Sequence, residues 1–152
     1  MLREDIQAGL KQAMKSGQSA DVATLRLITA ALKDKDIAAR GKGDDPISDD
    51  AILSMLHTMI KQRQESVRLY REGKREELAE AEEEEIRIIR TFLPEQMDEA
   101  AIEKAVADAI AGVGANSVKD MGKVMAHLKQ NYSGRMDFSV ASAAVKNTLL
   151  NR

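Results

Sequence analysis

His57 and His127 are the only histidines, and 70 residues separate them. Neither has a second His, a Cys or a carboxylate at the spacing that closes around a metal ion. Asp120 and Lys123 lie near His127, but as ordinary helix-surface neighbours. The sequence contains no Gly-x-Ser-x-Gly elbow, no Gly-x-Gly-x-x-Gly turn and no phosphate-binding loop. It has no cysteine, which removes disulfides, thiolate nucleophiles and zinc–thiolate sites. The expectation is therefore no catalytic residue, no metal and no cofactor.

Charge patterning is more informative. Glu82 to Glu85 follow Glu76, Glu77 and Glu80. Consecutive carboxylates on a helix point all round it, so a solvated acidic face is a better reading than a cation site. Lys61 to Arg75 carries six basic residues against Glu65 and Glu72, a local +4. The plain explanation is two antiparallel helices pairing basic against acidic. Arg63, Arg68, Arg71, Lys74 and Arg75 are the minority alternative for nucleic-acid contact, because the acids lie so close.

A second segment with the same local charge has no acidic block beside it. Ser117 to Arg152 holds six Lys or Arg and only Asp120 and Asp137, again +4, on a chain whose net charge is −2. At 100° per residue, Lys119, Lys123, His127 and Gln130 fall on one side of a helix, with Lys129 on the flank. Val118, Met121, Val124, Met125, Leu128 and Tyr132 fall on the other. Gly122 reads as mid-helix, where glycine costs up to about 1 kcal/mol relative to alanine. Close packing against a neighbouring helix is the favoured reason for it, and close approach of an RNA backbone is the alternative. Gly134 and Arg135 form a basic turn. The tip suits an anionic partner, although a solvated basic face has the same pattern.

The elements that position these residues are helical throughout. Apolar residues recur at three and four, and period-two alternation is absent. Leu2, Ile6, Leu10 and Met14 form one stripe, ending at Ser16-Gly17. Val22, Leu25, Ile28 and Leu32 form a second, running to about Arg40. Ser48 caps a third helix to about Arg71, with Ile52, Leu56, Met59, Ile60, Val67 and Tyr70 inward. A fourth spans roughly Arg75 to Phe92, with Leu78, Ile86, Ile89 and Leu93 as its apolar face.

Leu93-Pro94 marks a boundary. Beyond it Asp98 caps a fifth helix to about Ile110, ended by Gly112 and Gly114. Ser117 with Asp120 has capping-box spacing for a sixth. Asp137 caps a seventh. The expected architecture is all-α: a four-helix unit over about 1–93 and a three-helix unit over about 95–152.

Composition bounds the function classes. Hydrophobic residues make up 43% and charged residues 32%, which suits a helical protein with a real core. No apolar run approaches the ~20 residues of a bilayer span. The pI of about 5.8 argues against wholesale coating of nucleic acid, and no DNA partner is expected. The acidic N-terminal stretch MLREDIQAGL does not read as a secretory signal. With the missing cysteines, this leads to the expectation of a cytoplasmic protein.

The C-terminal stretch resembles the tail domain of the B subunit of the tRNA-dependent amidotransferases. A Gly-x-x-Met helix, a Gly-Lys/Arg turn and an Asp-started final helix recur there; here they are Gly122, Met125, Gly134-Arg135 and Asp137. The N-terminal part resembles the stand-alone YqeY-like proteins that carry this tail. The matching phrases are Thr24-Leu25-Arg26-Leu27-Ile28, Lys61-Gln62-Arg63-Gln64-Glu65-Ser66 and Phe92-Leu93-Pro94-Glu95-Gln96-Met97. Together they run over nearly the whole chain.

The resemblance implies an all-helical, two-domain protein whose tail holds a tRNA body. Carried onto this chain, the contacts would be Lys119, Lys123, Lys129, Arg135 and Lys146, with Gly122 and Gly134 shaping the surface. The amidotransferase cradle for ATP and the aminoacyl end has no counterpart here, and the glutaminase is another subunit. The expectation is thus a non-catalytic protein contacting tRNA or another structured RNA. One alternative is a protein-interaction adaptor using the charged 48–92 hairpin. Another is an accessory component of glutamine-dependent tRNA amidotransferase activity.

Overall fold

The computed structural model describes residues 2–151. The chain is all-α, and no strand occurs among the described residues. The helices are α1 (Leu2–Ser16), α2 (Ser19–Arg40), α3 (Asp49–Glu72), α4 (Glu76–Arg90), α5 (Glu99–Val113), α6 (Met121–Tyr132) and α7 (Phe138–Leu150). A short 3-10 turn, Val118–Asp120, leads into α6. The chain divides between Leu93 and Pro94 into two compact units.

Local chemistry explains where several helices start. Ser48 accepts a hydrogen bond from the Ala51 N–H at 3.2 Å, and Asp98 accepts one from the Ala101 N–H at 2.7 Å. Asp137 does the same for Ser139 at 2.9 Å. Each satisfies a backbone donor that the first turn leaves without an intrahelical partner. Gly112 does not stop α5, which continues to Val113; the stop is Gly114, in the left-handed conformation at φ 68°.

In the first unit α3 and α4 form an antiparallel hairpin. Ile6, Ile28, Ile52, Leu56 and Ile89 are almost wholly buried at its centre. Burial of each such side chain is worth about 2 kcal/mol. Two stripe residues turn out differently from the sequence reading. Met14 is 54% exposed, and Ala13 takes the inward position. Leu78 is 42% exposed while its neighbour Ala79 is fully buried. The hairpin turn at Gly73-Lys74-Arg75 brings the first turn of α4 close to α3, and a small side chain suits that approach better than leucine. Close approach also explains Gly9: a Cβ there would meet the Phe92 ring at 3.1 Å.

Arg3, Asp36 and Ile47 tie α1, α2 and the loop before α3 together. The Arg3 guanidinium donates to both Asp36 oxygens at 2.6 and 3.0 Å, and to the Ile47 carbonyl at 3.2 Å. The Ile47 N–H donates to Asp36 at 3.0 Å. The second unit has its own core, with Val106, Ile110, Val124, Leu128, Met136 and Val145 buried.

Candidate nucleic-acid interface in the C-terminal unit

The start of α6 is held by two side chains working in opposite directions. Ser117 Oγ accepts from the Lys119 N–H at 3.3 Å, and Asp120 Oδ2 accepts from the Asn116 N–H at 3.0 Å. The Asn116 N–H is the main reason that the Asp120 carboxyl lies below the usual aspartate range. Asp120 is thus a structural anion serving the backbone. It does not neutralise a lysine by direct contact, although Lys123 adds a smaller stabilising charge.

Helix α6 then exposes a different face from the one the helical wheel suggested. Val124 and Leu128 are buried, and His127 is half-buried rather than outward. The exposed residues are Gly122, Lys123, Ala126, Lys129 and Gln130. Lys123 and Lys129 therefore flank a strip of small residues, and Lys129 belongs to the face, not its edge. Lys119 lies in the 3-10 turn just before the helix. Gly122 is the second residue of α6, not mid-helix, and an added Cβ would meet nothing within 4 Å. Packing is therefore not the reason for this glycine; the surface above it is open.

The turn after α6 is built from inside. Gly134 has φ 76° and is buried, and its carbonyl accepts from Gln96 Nε2 at 2.6 Å. The Arg135 carbonyl accepts from the Met97 N–H at 2.9 Å. Arg135 Nε donates to the Glu95 carbonyl at 3.4 Å, and its guanidinium sits 5.8 Å from the centre of the Tyr132 ring. Arg135 is accordingly a half-buried turn residue with a cation–π contact. The sequence reading treated it as a free contact cation and assigned no role to Gln96 or Met97. The phrase Phe92 to Met97 was the available signal: its last three residues clamp the turn.

Lys146 is exposed on α7, about 100° round from the buried Val145. Lys119, Lys123, Lys129 and Lys146 form no ion pair among the described residues. An ion pair in this unit joins Lys104 and Asp108 at 2.9 Å, within α5. Among the described residues no group of His, Asp and Glu is arranged to hold a metal ion. Among them too, no helix is long and apolar enough to cross a membrane.

The other basic segment is organised in the reverse way. Arg63 pairs with Glu85 at 2.9 Å, and Arg71 with Glu83 at 2.8 Å and Glu76 at 3.1 Å. Arg68 is bracketed by Glu65 and Glu72 on its own helix. Basic α3 against acidic α4 is thus how the hairpin is built.

Comparison with known proteins gives a consistent family. A fungal relative from Pyrenophora tritici-repentis, named altered inheritance of mitochondria protein 41, mitochondrial, is 29% identical over 133 residues. That alignment covers 86% of this chain and 70% of the relative. The protein of the same name from Vanderwaltozyma polyspora is 29% identical over 119 residues, 74% of this chain and 62% of its own length. An uncharacterised protein of Schizosaccharomyces pombe is 33% identical over 95 residues, 62% of this chain and 73% of that protein.

The mitochondrial names of the first two overturn the expectation of a cytoplasmic protein. That expectation leaned on the missing cysteines, and a cysteine-free chain is compatible with any compartment. The sequence model of the Yqey-like protein family matches residues 3–149, and the chain belongs to that family.

Proposed function

We propose that the chain binds tRNA or another structured RNA through its C-terminal unit. Lys119, Lys123, Lys129 and Lys146 contact phosphates, and Gly122 gives a backbone room to approach between Lys123 and Lys129. Arg135 and Gly134 shape the turn beside them. The supporting observation is the state of the cations: they are exposed and without carboxylate partners among the described residues, whereas the arginines of the α3–α4 hairpin pair with acids. Unpaired lysines can release counterions from a phosphate backbone without first breaking ion pairs.

The resemblance of Gly122, Met125, Gly134-Arg135 and Asp137 to the amidotransferase tail points to tRNA in particular. On this reading the chain is a binding protein related to that subunit, and amide transfer from glutamine needs other chains.

Titration of bulk tRNA into the full chain tests this. Four phosphate contacts weaken binding about 150-fold between 50 and 200 mM salt. Lys119→Glu/Lys123→Glu/Lys129→Glu removes the binding, while Lys11→Glu/Lys15→Glu on exposed α1 keeps most of it. Absence of saturable binding at low salt, or equal loss in both variants, sinks the assignment.

A further inference from the structure

Between α2 and α3 the N-terminal unit has a groove that its own side chains leave open. Two adjoining hollows of about 560 and 550 Å³ share Lys35, Ile47 and Ala51 in their walls. One extends to Lys42 in the loop just past α2, the other along α3 to Gln62. From Ala51 to Gln62 helix α3 rises roughly 16 Å, three helical turns. Met55 and Met59 form the floor at 5% and 7% exposure. The walls are small, with Ala31, Ala38 and Ala51 keeping side-chain bulk out of the space.

Two cations and one carboxylate line these hollows. The cations are Lys35 and Lys42, and neither has an ion-pair partner among the described residues. Two nearby carboxylates are engaged elsewhere: Asp36 with Arg3, and Asp45 with Arg40 at 3.2 Å. Asp44 is the one carboxylate in the lining.

We propose that this groove docks an acidic amphipathic helix of a protein partner. About three turns of its apolar face lie on Met55, Met59 and Ile47, and its flanking Asp or Glu side chains reach Lys35 and Lys42. A helix laid in a groove is a general recognition mode, and methionine adapts its shape to the side chain above it. A second copy of this chain is the poorer occupant. Its strongly acidic helix, α4, buries Ala79, Ile86, Ile88 and Ile89 in its own core and leaves only Leu78 as an exposed large apolar residue, too little to cover three turns of groove. The exposed apolar residues Leu27 and Ile37 of α2 are accompanied by Arg26 and Lys33, which would bring cation to cation.

Methionine-methyl NMR on the full chain tests the proposal. The probes are two short synthetic helices with the same leucine–alanine face, one flanked by Glu and one by Lys. The Met55 and Met59 signals move with the Glu-flanked helix, and that of Met136, buried in the other unit, does not. The Glu-flanked helix binds about tenfold tighter than the Lys-flanked one. Ala51→Arg abolishes the shifts by filling the groove, and Lys35→Glu/Lys42→Glu reverses the preference. All three positions are exposed, so the melting temperature of each variant stays at the parent value.

No shift with either helix, or equal shifts with both, overturns the proposal. Shifts at Met55 and Met59 on adding bulk tRNA make the groove a nucleic-acid site instead. Shifts on concentrating the protein alone assign it to a second copy. None of these outcomes depends on whether the C-terminal lysines bind RNA.

Discussion

Two segments of this chain carry the same local charge, yet the fold treats them differently. Lys61 to Arg75 and Ser117 to Arg152 are each +4. In the first, arginines bridge α3 to α4 or brace α3, and Arg63 is only 14% exposed against Glu85. In the second, lysines face solvent without carboxylate partners among the described residues. Local charge therefore does not identify a binding surface. What matters is whether the fold returns an acidic element to neutralise it.

Charge reversal separates the two segments most sharply. Lys119→Glu/Lys123→Glu/Lys129→Glu lowers tRNA affinity at least about a hundredfold while the denaturation midpoint barely moves, because all three side chains are exposed and the Ser117 cap uses only the Lys119 backbone N–H, so each change should cost under about 0.5 kcal/mol. Arg63→Ala gives the opposite pattern. It removes the bonds to Glu85 and to the Met59 carbonyl at 3.1 Å. The expected loss of stability is about 2 kcal/mol by denaturant titration, with tRNA affinity unchanged.

Acid titration sharpens the contrast further. Arg3, and then the Ile47 N–H, hold the Asp36 carboxyl below the ordinary aspartate range. A group depressed in the folded state adds stability that is complete above its unfolded value of about 3.9 and is lost as pH falls through the lower folded value. Asp36→Asn should flatten the pH dependence of unfolding below about pH 4. An unchanged slope would mean that the pair adds nothing.

Smaller effects come from the outer hairpin. Burial, and next the charge of Glu85, push the Glu82 carboxyl up. Its ionised form is therefore a burden at neutral pH, and Glu82→Gln should raise stability by roughly 0.5 kcal/mol or less. Arg68→Ala, on the exposed Glu65–Arg68–Glu72 array, should leave the midpoint where it is. A clear drop there would mean that even solvent-facing pairs hold the hairpin together.

Much of the architecture was legible because its signals are short-range. Ser48, Asp98, Asp137 and Gly114 act on backbone groups within a few residues. The inward stripe of Ile52, Leu56, Met59, Ile60 and Val67 follows from helical period alone. The stripes failed at Met14 and Leu78, where one step round the helix exchanges an inward for an outward position. On α6 the same uncertainty put His127 outside and Lys129 at the edge. His127 and Lys129 each lie about 100° round from the buried Leu128, so the wheel does not rank them; the 3-10 turn before α6 displaces only Val118 and Lys119.

The sequence by itself determined the all-helical class, the caps and the presence of two basic segments, because composition, periodicity and capping are local properties. Tertiary structure decided which of those segments is neutralised. Glu83 and Glu85 reach Arg71 and Arg63 only because the turn at Gly73-Lys74-Arg75 reverses the chain. It also decided that Arg135 belongs to a turn clamped by Gln96 and Met97, some 38 residues away, and that the space above Gly122 is open. Electrostatic pairing and open surface depend on distances through space, and spacing along the chain does not set them.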